Sequence, residues 1–221
     1  MTTAVILAAG KSTRMGGGDK AFLSLVNKPV VAWSLIAFER CPEIDRIVLV
    51  VRKDQLVASK AVVKMFGISK LHAIVAGGSR RQESVAAGVA ACDIDTKYVV
   101  VHDSARPLIT SDVVGEVVKA VKKSGPVVVG RPVTDTLKHC AKGLSVTNTV
   151  PRERLWSVQT PQAFPIKDLR TALAKLGKQE VSDDAMAVEL DGGSVKILEN
   201  LKPNFKITTV EDLQLAGSLL K

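Results

Sequence analysis

The chain has 221 residues, of which 46% are hydrophobic, and its formal net charge at pH 7 is +9. This length fits one domain with a sizeable core, and no apolar run approaches the ~20 residues that a membrane-spanning helix needs. A strand pattern begins near the N-terminus with no signal-like segment before it, so we expect a cytoplasmic protein. The three cysteines are far apart and form no CxxC pair, which argues against disulfide and metal-thiolate sites.

The excess of positive charge leaves two kinds of partner open. A net charge of +9 is compatible with nucleic-acid binding, but only 4% of the residues are aromatic, which leaves few side chains for base stacking. The cations are also scattered along the chain. An anionic small-molecule substrate explains them equally well, and we predict such a substrate, with no nucleic-acid or membrane partner. A non-catalytic basic domain that binds nucleic acid remains the alternative from another class.

The first predicted element is a short buried strand at residues 4–8, and a turn of very small residues follows it. The segment Ala8-Ala9-Gly10 leaves the backbone open to a ligand, and successive N–H groups in such a turn form an anion-binding nest. Lys11, Arg14 and Lys20 then supply three cations. Together these features predict a polyphosphate-binding loop, whereas the alternative is a surface turn with solvated cations.

Two standard phosphate-binding loops do not fit this stretch. A Walker A loop needs a glycine five residues before Gly10, where the chain has Val5. The dinucleotide pattern GxGxxG is missing as well, because the next glycine after Gly10 is Gly16. The sequence therefore predicts a third kind of loop, in which Arg14 and Lys20 reach inward from a long turn.

Strand and helix patterns alternate along the rest of the chain, which predicts an α/β fold with an open, mostly parallel sheet. The further predicted strands are 47–51, 73–75, 98–101, 127–129, 195–198 and a short one at 204–208. The predicted helices are 29–41, 55–66, one from Ser79 to residue 91, one from residue 111 to the glycine at 125, one from 165, one at 182–190, and a last one after a capping box of Thr208 and Glu211.

A glycine pair, Gly77-Gly78, precedes the third predicted helix. Ser79 is the predicted N-cap, and Arg81 and Ser84 fall in the first turns, where a helix attracts anions and hydrogen-bond acceptors. This pattern predicts a ligand-binding helix N-terminus. An ordinary capped helix with solvated arginines is the alternative.

The strand at 98–101 runs into His102, Asp103 and Arg106. Ligands of open α/β sheets bind beyond the carboxyl ends of the strands. At such an end Asp103 can hold a metal ion or a hydroxyl group, and Arg106 can hold a phosphate. The alternative for this pair is a mutual ion pair that shapes the turn, and for His102 a structural role is the preferred interpretation.

The stretch from about 131 to 156 interrupts the alternation with polar, alternating residues, which predicts an extended β-arm. Exposed strand edges usually pair with something, so a second copy of the chain is the expected partner. We predict one domain, residues 1–221, with this arm as a subdomain. Lys206 belongs to the site only if the strand at 204–208 borders it.

Taken together, these residues resemble the cytidylyltransferases of the non-mevalonate isoprenoid pathway. These enzymes form 4-diphosphocytidyl-2-C-methyl-D-erythritol from CTP and 2-C-methyl-D-erythritol 4-phosphate and release pyrophosphate. The resemblance is carried by the order and spacing of segments 7–10, 14–16, 77–84, 102–107, 132–138, 152–156, 160–162 and 206–208. The chain departs from the family pattern at Ser12, which replaces a glycine, and at Asp19 and Ala21, where proline and glutamine usually flank the catalytic lysine.

The resemblance implies a Rossmann-like nucleotidyltransferase sheet, a homodimer built by the β-arm, and a divalent cation, usually Mg²⁺, with Asp103 as its ligand. It implies the catalytic residues Arg14, Lys20, Arg152 and Lys206. The CTP-binding residues would be Ala8, Ala9, Gly10, Lys11, Gly78, Ser79, Arg81, Ser84 and Asp103. The acceptor phosphate and polyol would be bound by Arg106, Thr160 and Lys206, and by Thr136 and Arg152 of the neighbouring subunit.

The implied reaction is attack by a phosphomonoester oxygen on the α-phosphorus of CTP. Such transfers depend mainly on in-line positioning and neutralisation of charge, so they need no covalent intermediate, and we find no Ser-His-Asp or Cys-His set for one. The nucleophile is already an anion and needs no general base. A ribitol 5-phosphate cytidylyltransferase, or an enzyme for another polyol phosphate, would share most of these residues and is the closest alternative.

Overall fold

The computed structural model describes residues 1–10 and 20–220, with Lys20 described by its backbone alone. Within these residues the strands are β1 (Thr2–Ala8), β2 (Ser24–Leu25), β3 (Lys28–Pro29), β4 (Arg46–Val51), β5 (Leu71–Ala76), β6 (Tyr98–Asp103), β7 (Val127–Pro132), β8 (Leu137–Cys140), β9 (Val146–Val150), β10 (Trp156–Pro165) and β11 (Lys196–Glu199). The α-helices are α1 (Val30–Arg40), α2 (Leu56–Met65), α3 (Arg81–Ala90), α4 (Ser111–Ser124), α5 (Ile166–Lys175), α6 (Asp184–Leu190) and α7 (Val210–Leu219).

Seven of these strands form the central sheet, in the order β11-β7-β10-β6-β1-β4-β5. All neighbours are parallel except for β10, which runs antiparallel to both β6 and β7. The predicted α/β fold with a mostly parallel sheet is therefore confirmed. The innermost strands are continuous runs of β-branched and small apolar residues because both of their faces are covered, and every residue of β1 is buried.

Helices cover the sheet on both faces, and alternate residues of β1 belong to different cores. Ala4, Ile6 and Ala8 pack in one hydrophobic cluster with residues of α1 and α4. Val5 and Leu7 pack in the other cluster with residues of α3, α5 and α6. This alternation follows from the period of two in a strand.

Helix α3 approaches the sheet closely through Gly88. A β-carbon built at Gly88 would lie 2.4 Å from Val5 Cγ1 and 2.8 Å from Val50 Cγ2. We expect Gly88→Ala to lower the free energy of unfolding by about 1–3 kcal/mol, because an added methyl group overpacks this contact. Gly115→Ala on α4 is the matched control, since its nearest contact would be ordinary, 3.8 Å from Cys41 Sγ. Urea unfolding measures both, and a Gly88→Ala midpoint at or above the wild-type value contradicts the packing argument.

Three local predictions were wrong. The segment 204–208 is not a strand, although the Ile207 N–H donates to the Ala105 carbonyl oxygen at 2.8 Å. Arg80, not Ser79, is the N-cap residue of α3. The capping box of α7 uses Thr209 and Asp212 instead of Thr208 and Glu211. In both helices the N-cap lies one residue further along the chain than predicted, a difference that capping patterns do not resolve.

The stretch predicted as an extended β-arm contains an antiparallel hairpin of β8 and β9, which forms a separate two-stranded sheet. The side chains of β8 and β9 are exposed except for Leu137 and Val150, which are half-buried. Among the helices in residues 1–10 and 20–220, none combines the length and the apolar character that crossing a membrane requires.

Candidate active site

A cavity of about 510 Å³ opens beyond the carboxyl ends of β1, β4, β5 and β6. The structure brings nine of the residues predicted for the site to its wall: Ala8, Ala9, Gly10, Gly78, Ser79, Arg81, Ser84, Asp103 and Lys206. These residues come from four separate parts of the chain. They converge because parallel strands end at the same edge of the sheet.

The first of the predicted loops lies mostly outside the described residues. Lys11 and Arg14, together with Ser12 and Asp19, are not described, and neither is the side chain of Lys20. The backbone of Lys20 begins a short 3-10 turn, and Ala21, the next residue, lines the cavity.

Four charged side chains are joined by ion pairs into what we call the charge chain, in which Lys206, Asp103 and Arg81 line the cavity and Asp184 lies behind them. Lys206 Nζ donates to Asp103 Oδ2 at 2.6 Å, and Arg81 Nε donates to Asp103 Oδ1 at 3.2 Å. The other two guanidinium nitrogens of Arg81, Nη1 and Nη2, donate to Asp184 Oδ1 and Oδ2, both at 2.9 Å. Arg81 is therefore part of an ion-pair network and not the solvated cation of the alternative interpretation.

Both acids of the charge chain are buried, with Asp103 8% and Asp184 1% exposed. Burial alone would raise the pKa of Asp103, but the charges of Arg81 and Lys206 outweigh it and hold the pKa well below its usual range. Burial would lower the pKa of Arg81, but the two carboxylates outweigh it and raise that pKa. The floor of the cavity thus carries fixed charges of both signs at neutral pH.

The turn after β6 does not contain the mutual ion pair of Asp103 and Arg106 that the alternative interpretation expected. Arg106 Nη1 donates to the Asn204 carbonyl oxygen at 2.8 Å, and Arg106 Nε is buried with no hydrogen-bond partner within the described part of the chain. Arg106 does not line the cavity. It instead ties the turn after β6 to the segment that carries Lys206.

Thr160 also lies behind the cavity and supports it. Its hydroxyl accepts a hydrogen bond from the Asp103 N–H at 3.0 Å and lies 3.1 Å from His102 Nδ1. His102 is fully buried, and burial lowers its pKa to about 3, so the ring is neutral at pH 7. These contacts fit the structural role predicted for His102.

Thr136 and Arg152 are exposed and do not line the cavity of their own chain. Arg152 instead donates a hydrogen bond to the Thr134 carbonyl oxygen, which is in the same polar stretch. A single chain therefore does not bring these two predicted residues to the site.

The loop before α3 packs against its own helix with little space to spare. A β-carbon at Gly77 would lie 2.6 Å from Ala9 Cβ and 2.6 Å from Ser84 Oγ, and one at Gly78 would lie 2.4 Å from Glu83 Cβ. Ser84 Oγ also accepts a hydrogen bond from the Gly78 N–H at 3.2 Å. A larger residue would clash at either position, because the backbone there lies close to neighbouring side chains.

Glu83 is an organising residue of this loop that the sequence analysis missed. Its carboxylate accepts hydrogen bonds from the Ser79 N–H, the Ser79 hydroxyl and the Arg80 N–H at 2.8–3.1 Å, and from Arg80 Nε at 2.8 Å. An acid at the third helical position was the available signal. The hydrogen bonds from Arg80 and Ser79 hold the pKa of Glu83 to about 2.

We expect Glu83→Gln to lower the urea midpoint at pH 7, because the amide cannot accept all of these hydrogen bonds. The carboxylate's contribution is fully present above the unfolded-state pKa of 4.5 and is lost as the pH falls through about 2. The difference between wild type and variant should therefore shrink below pH 4.5. Glu189→Gln, at an exposed position on α6, is the control. A difference that stays constant from pH 7 to pH 3 contradicts this account.

Other residues of the site carry weaker signals in the sequence. Arg52 and Lys53 line the cavity directly after β4, at the same edge as the predicted loops, and their position after a predicted strand could have indicated them. Asp184 was predicted only as part of a helix start.

No group of three His, Cys, Asp or Glu side chains suited to a metal ion occurs in the described ranges.

Comparisons with known proteins agree along the whole chain. The sequence model of the 2-C-methyl-D-erythritol 4-phosphate cytidylyltransferase family matches residues 2–221. An enzyme of that name from Dehalococcoides mccartyi is 44% identical over 218 residues, covering 99% of this chain and 95% of the relative. Another, from Alkaliphilus oremlandii, is 39% identical over 224 residues, covering 100% of this chain and 95% of the relative.

Solved structures give the same answer. The 4-diphosphocytidyl-2C-methyl-D-erythritol synthase of Anaerococcus prevotii superposes with a TM-score of 0.88 at 29% identity, covering 99% of this chain and 95% of that one. The 2-C-methyl-D-erythritol 4-phosphate cytidylyltransferase of Thermus thermophilus superposes with a TM-score of 0.81 at 32% identity, covering 98% and 97%.

Proposed function

This chain belongs to the 2-C-methyl-D-erythritol 4-phosphate cytidylyltransferase family, and we propose that the cavity beyond β1, β4, β5 and β6 is where it uses CTP. The reaction gives 4-diphosphocytidyl-2-C-methyl-D-erythritol and pyrophosphate. The observation that carries this assignment to the cavity is the convergence of nine predicted site residues on one wall. Neither the ribitol 5-phosphate alternative nor the nucleic-acid alternative is favoured.

The base and ribose of CTP fit the part of the cavity built from small residues. Ala8, Ala9 and Gly10 line it together with Gly78, Ser79 and Ser84, and the Ser84 hydroxyl accepts a hydrogen bond from the Gly78 N–H. A narrow wall of backbone and small side chains excludes purines by shape, and a backbone carbonyl can accept a hydrogen bond from the cytosine amino group. We assign Lys11, Arg14 and Lys20 to the triphosphate on the sequence pattern, together with the position of Ala21 at the cavity.

The acceptor would bind on the side of Lys206. The Lys206 side chain is 40% exposed while it contacts Asp103, so a phosphate can reach its ammonium group. Arg106 and Thr160 support this side from behind through Asn204 and the Asp103 N–H. Thr136 and Arg152 of the neighbouring subunit would complete the acceptor site.

In the reaction, a phosphate oxygen of the acceptor forms a bond to the α-phosphorus of CTP. The bond from that phosphorus to the oxygen that bridges to the β-phosphorus breaks, and pyrophosphate leaves with the electron pair. The difficulty is the approach of two anions, because catalysis of such transfers is mostly positioning and charge neutralisation. Arg14 and Lys20 would neutralise the triphosphate, and Arg152 and Lys206 the incoming phosphate.

A divalent cation, usually Mg²⁺ in this kind of enzyme, fits the donor set in part. Mg²⁺ is commonly held by one or two carboxylates together with substrate phosphates, and Asp103 offers one ionised carboxylate at the cavity wall. Asp103 is the residue that would hold the ion, with the phosphates of CTP as the remaining ligands. When bound, the ion would supply positive charge to the triphosphate.

The hairpin of β8 and β9 supports a homodimer. Its apolar side chains Leu144 and Val146 are 86% and 58% exposed, and Trp156 and Val158 at the start of β10 are more than a third exposed. An isolated two-stranded hairpin is marginally stable in water. A second copy of the chain would cover these residues and would place its own Arg152 near the cavity, and we propose that residues 131–156 are this dimer arm within one domain.

The test is pyrophosphate release from CTP, with 2-C-methyl-D-erythritol 4-phosphate and ribitol 5-phosphate as acceptors side by side. We expect release with the first acceptor and much less with the second, and CTP should be used in preference to UTP. Preferential use of ribitol 5-phosphate would overturn the acceptor assignment. Equal use of UTP would overturn the proposed cytosine contact. Steeply salt-dependent RNA or DNA binding without pyrophosphate release would favour the nucleic-acid alternative.

A further inference from the structure

The N-terminus of α6 is anchored to the central sheet by one buried side chain. Gln162 on β10 is 1% exposed, and its Oε1 accepts hydrogen bonds from the N–H groups of Asp184 and Ala185, both at 3.1 Å. Its Nε2 donates to Asp183 Oδ2 at 2.8 Å, and Asp183 Oδ1 accepts from the Met186 N–H as the cap of the helix. These contacts fix the first residue of α6, Asp184, relative to the strand beside β6.

Fixed in this way, Asp184 presents both carboxylate oxygens to Arg81. The bidentate contact, with two distances of 2.9 Å, uses the Nη1 and Nη2 nitrogens and leaves only Nε for Asp103. Paired forks of this kind set orientation as well as distance. Because Asp184 is 1% exposed and does not line the cavity, it reaches the site only through Arg81.

We propose that Asp184 is a positioning residue for cytidylyl transfer, which holds Arg81 so that Arg81 fixes the Asp103 carboxylate. The inference rests on the proposed function and departs from the role that the resemblance implied for Arg81. Three of the five N–H groups of Arg81 donate to carboxylates, which fixes its guanidinium plane, so we assign Arg81 to orienting Asp103 and not to binding the triphosphate directly.

The balance of charges in the charge chain explains why the carboxylate of Asp184 affects the other three groups. Burial raises the pKa of Asp184, and the charge of Arg81 opposes that rise. With all four groups ionised, two carboxylates and two cations sum to zero, and Arg81 is shared between both acids. Without the charge of Asp184, the guanidinium group would turn its free end toward Asp103. It would then compete with Lys206 for the same carboxylate, and both groups would leave their positions at the cavity.

The test is a double-mutant cycle of Asp184→Asn and Arg81→Gln, with kcat and KM measured for CTP and the methylerythritol phosphate. We expect Asp184→Asn to lower kcat about 10–100-fold, as removal of a supporting group beside an active site typically does. If Asp184 acts only through Arg81, the double variant should be no less active than Arg81→Gln alone. Multiplied losses in the double variant, or wild-type kcat in Asp184→Asn, would overturn the proposal.

The controls separate this inference from a loss of folding and from failure of the proposed function. Asp191→Asn removes the same charge at the other end of α6, where Asp191 pairs with the exposed Lys175, and it should keep wild-type kcat. If Asp184→Asn does not fold, the comparison of the double variant with Arg81→Gln still tests the proposal. The double variant removes the charges of both Asp184 and Arg81, so neither is left buried without its partner. A wild-type enzyme that releases no pyrophosphate would overturn both the function and this inference, whereas an active wild type with a fully active Asp184→Asn overturns the inference alone.

Discussion

Lys206→Ala is expected to lower kcat/KM for the acceptor by about 10²–10³-fold, the typical cost of one well-placed charge donor in a transition state. Lys206 is the one member of the charge chain whose side chain is both at the cavity wall and 40% exposed. Its removal leaves Asp103 bound to Arg81 alone and takes away a cation from the path of the incoming phosphate. The fold should survive, since a partly exposed ion pair contributes little to stability.

Steady-state kinetics with varied acceptor measures this loss, and the control is a lysine on the same segment. Lys202 is exposed, lies four residues before Lys206 and does not line the cavity. Lys202→Ala should therefore match the wild type. Equal kinetics for wild type and Lys206→Ala, or an equal loss in both variants, would remove Lys206 from the proposed mechanism.

Arg152→Ala is expected to lower kcat/KM for the acceptor by a similar factor, about 10²–10³-fold. Activity should return in part when this variant is mixed with Lys206→Ala. In one chain, Arg152 is exposed and does not line the cavity, so its proposed role requires a second subunit. A mixed dimer of Arg152→Ala and Lys206→Ala subunits contains one site with both native residues. With random exchange of subunits, about half of the dimers are mixed, which restores about a quarter of wild-type activity.

The two variants are mixed, either by refolding them together from denaturant or by incubating them until their subunits exchange. Pyrophosphate release is then measured, and sedimentation confirms that the protein is a dimer. Arg154→Ala is the matched control, because Arg154 is exposed two residues further along the same stretch. A monomer in sedimentation, or mixtures no more active than either variant alone, would show that Arg152 does not act across an interface.

The framework of the site was predictable because it depends on local patterns. The strands β1, β4 and β6 are runs of buried β-branched or small residues, and the residues that follow them meet at one edge of the sheet. Glycine pairs and small residues at these ends indicated the close approach that Gly77 and Gly78 show. Chain order alone thus placed Ala8, Gly78 and Asp103 together.

The partners inside the site were not predictable, because tertiary packing selects them. Arg81 and Asp184 are 103 residues apart, and the side chain that anchors Asp184 lies on a strand inserted antiparallel between two others. No spacing rule joins these positions. Glu83 was missed for a different reason, since it supports the loop from the third helical position where Ser79 was the expected cap.

Segment 204–208 was predicted as the wrong element, although Lys206 does lie at the cavity wall. It was predicted as a strand, with Lys206 in the site only if that strand bordered it. The segment instead joins the core through the buried Ile207, whose N–H donates to the Ala105 carbonyl oxygen. Lys206 reaches Asp103 nevertheless. What placed this lysine in the site was the family resemblance, and not the predicted strand.

The most direct test of the central claim is a crystal structure of the protein with CTP and Mg²⁺. The account predicts cytosine and ribose against Ala8-Ala9-Gly10 and the loop of Gly78 and Ser79. The triphosphate should contact Lys11, Arg14 and Lys20, with the α-phosphorus turned toward the side of Lys206. A nucleotide bound outside this cavity, with the charge chain undisturbed and remote from every phosphate, would contradict it.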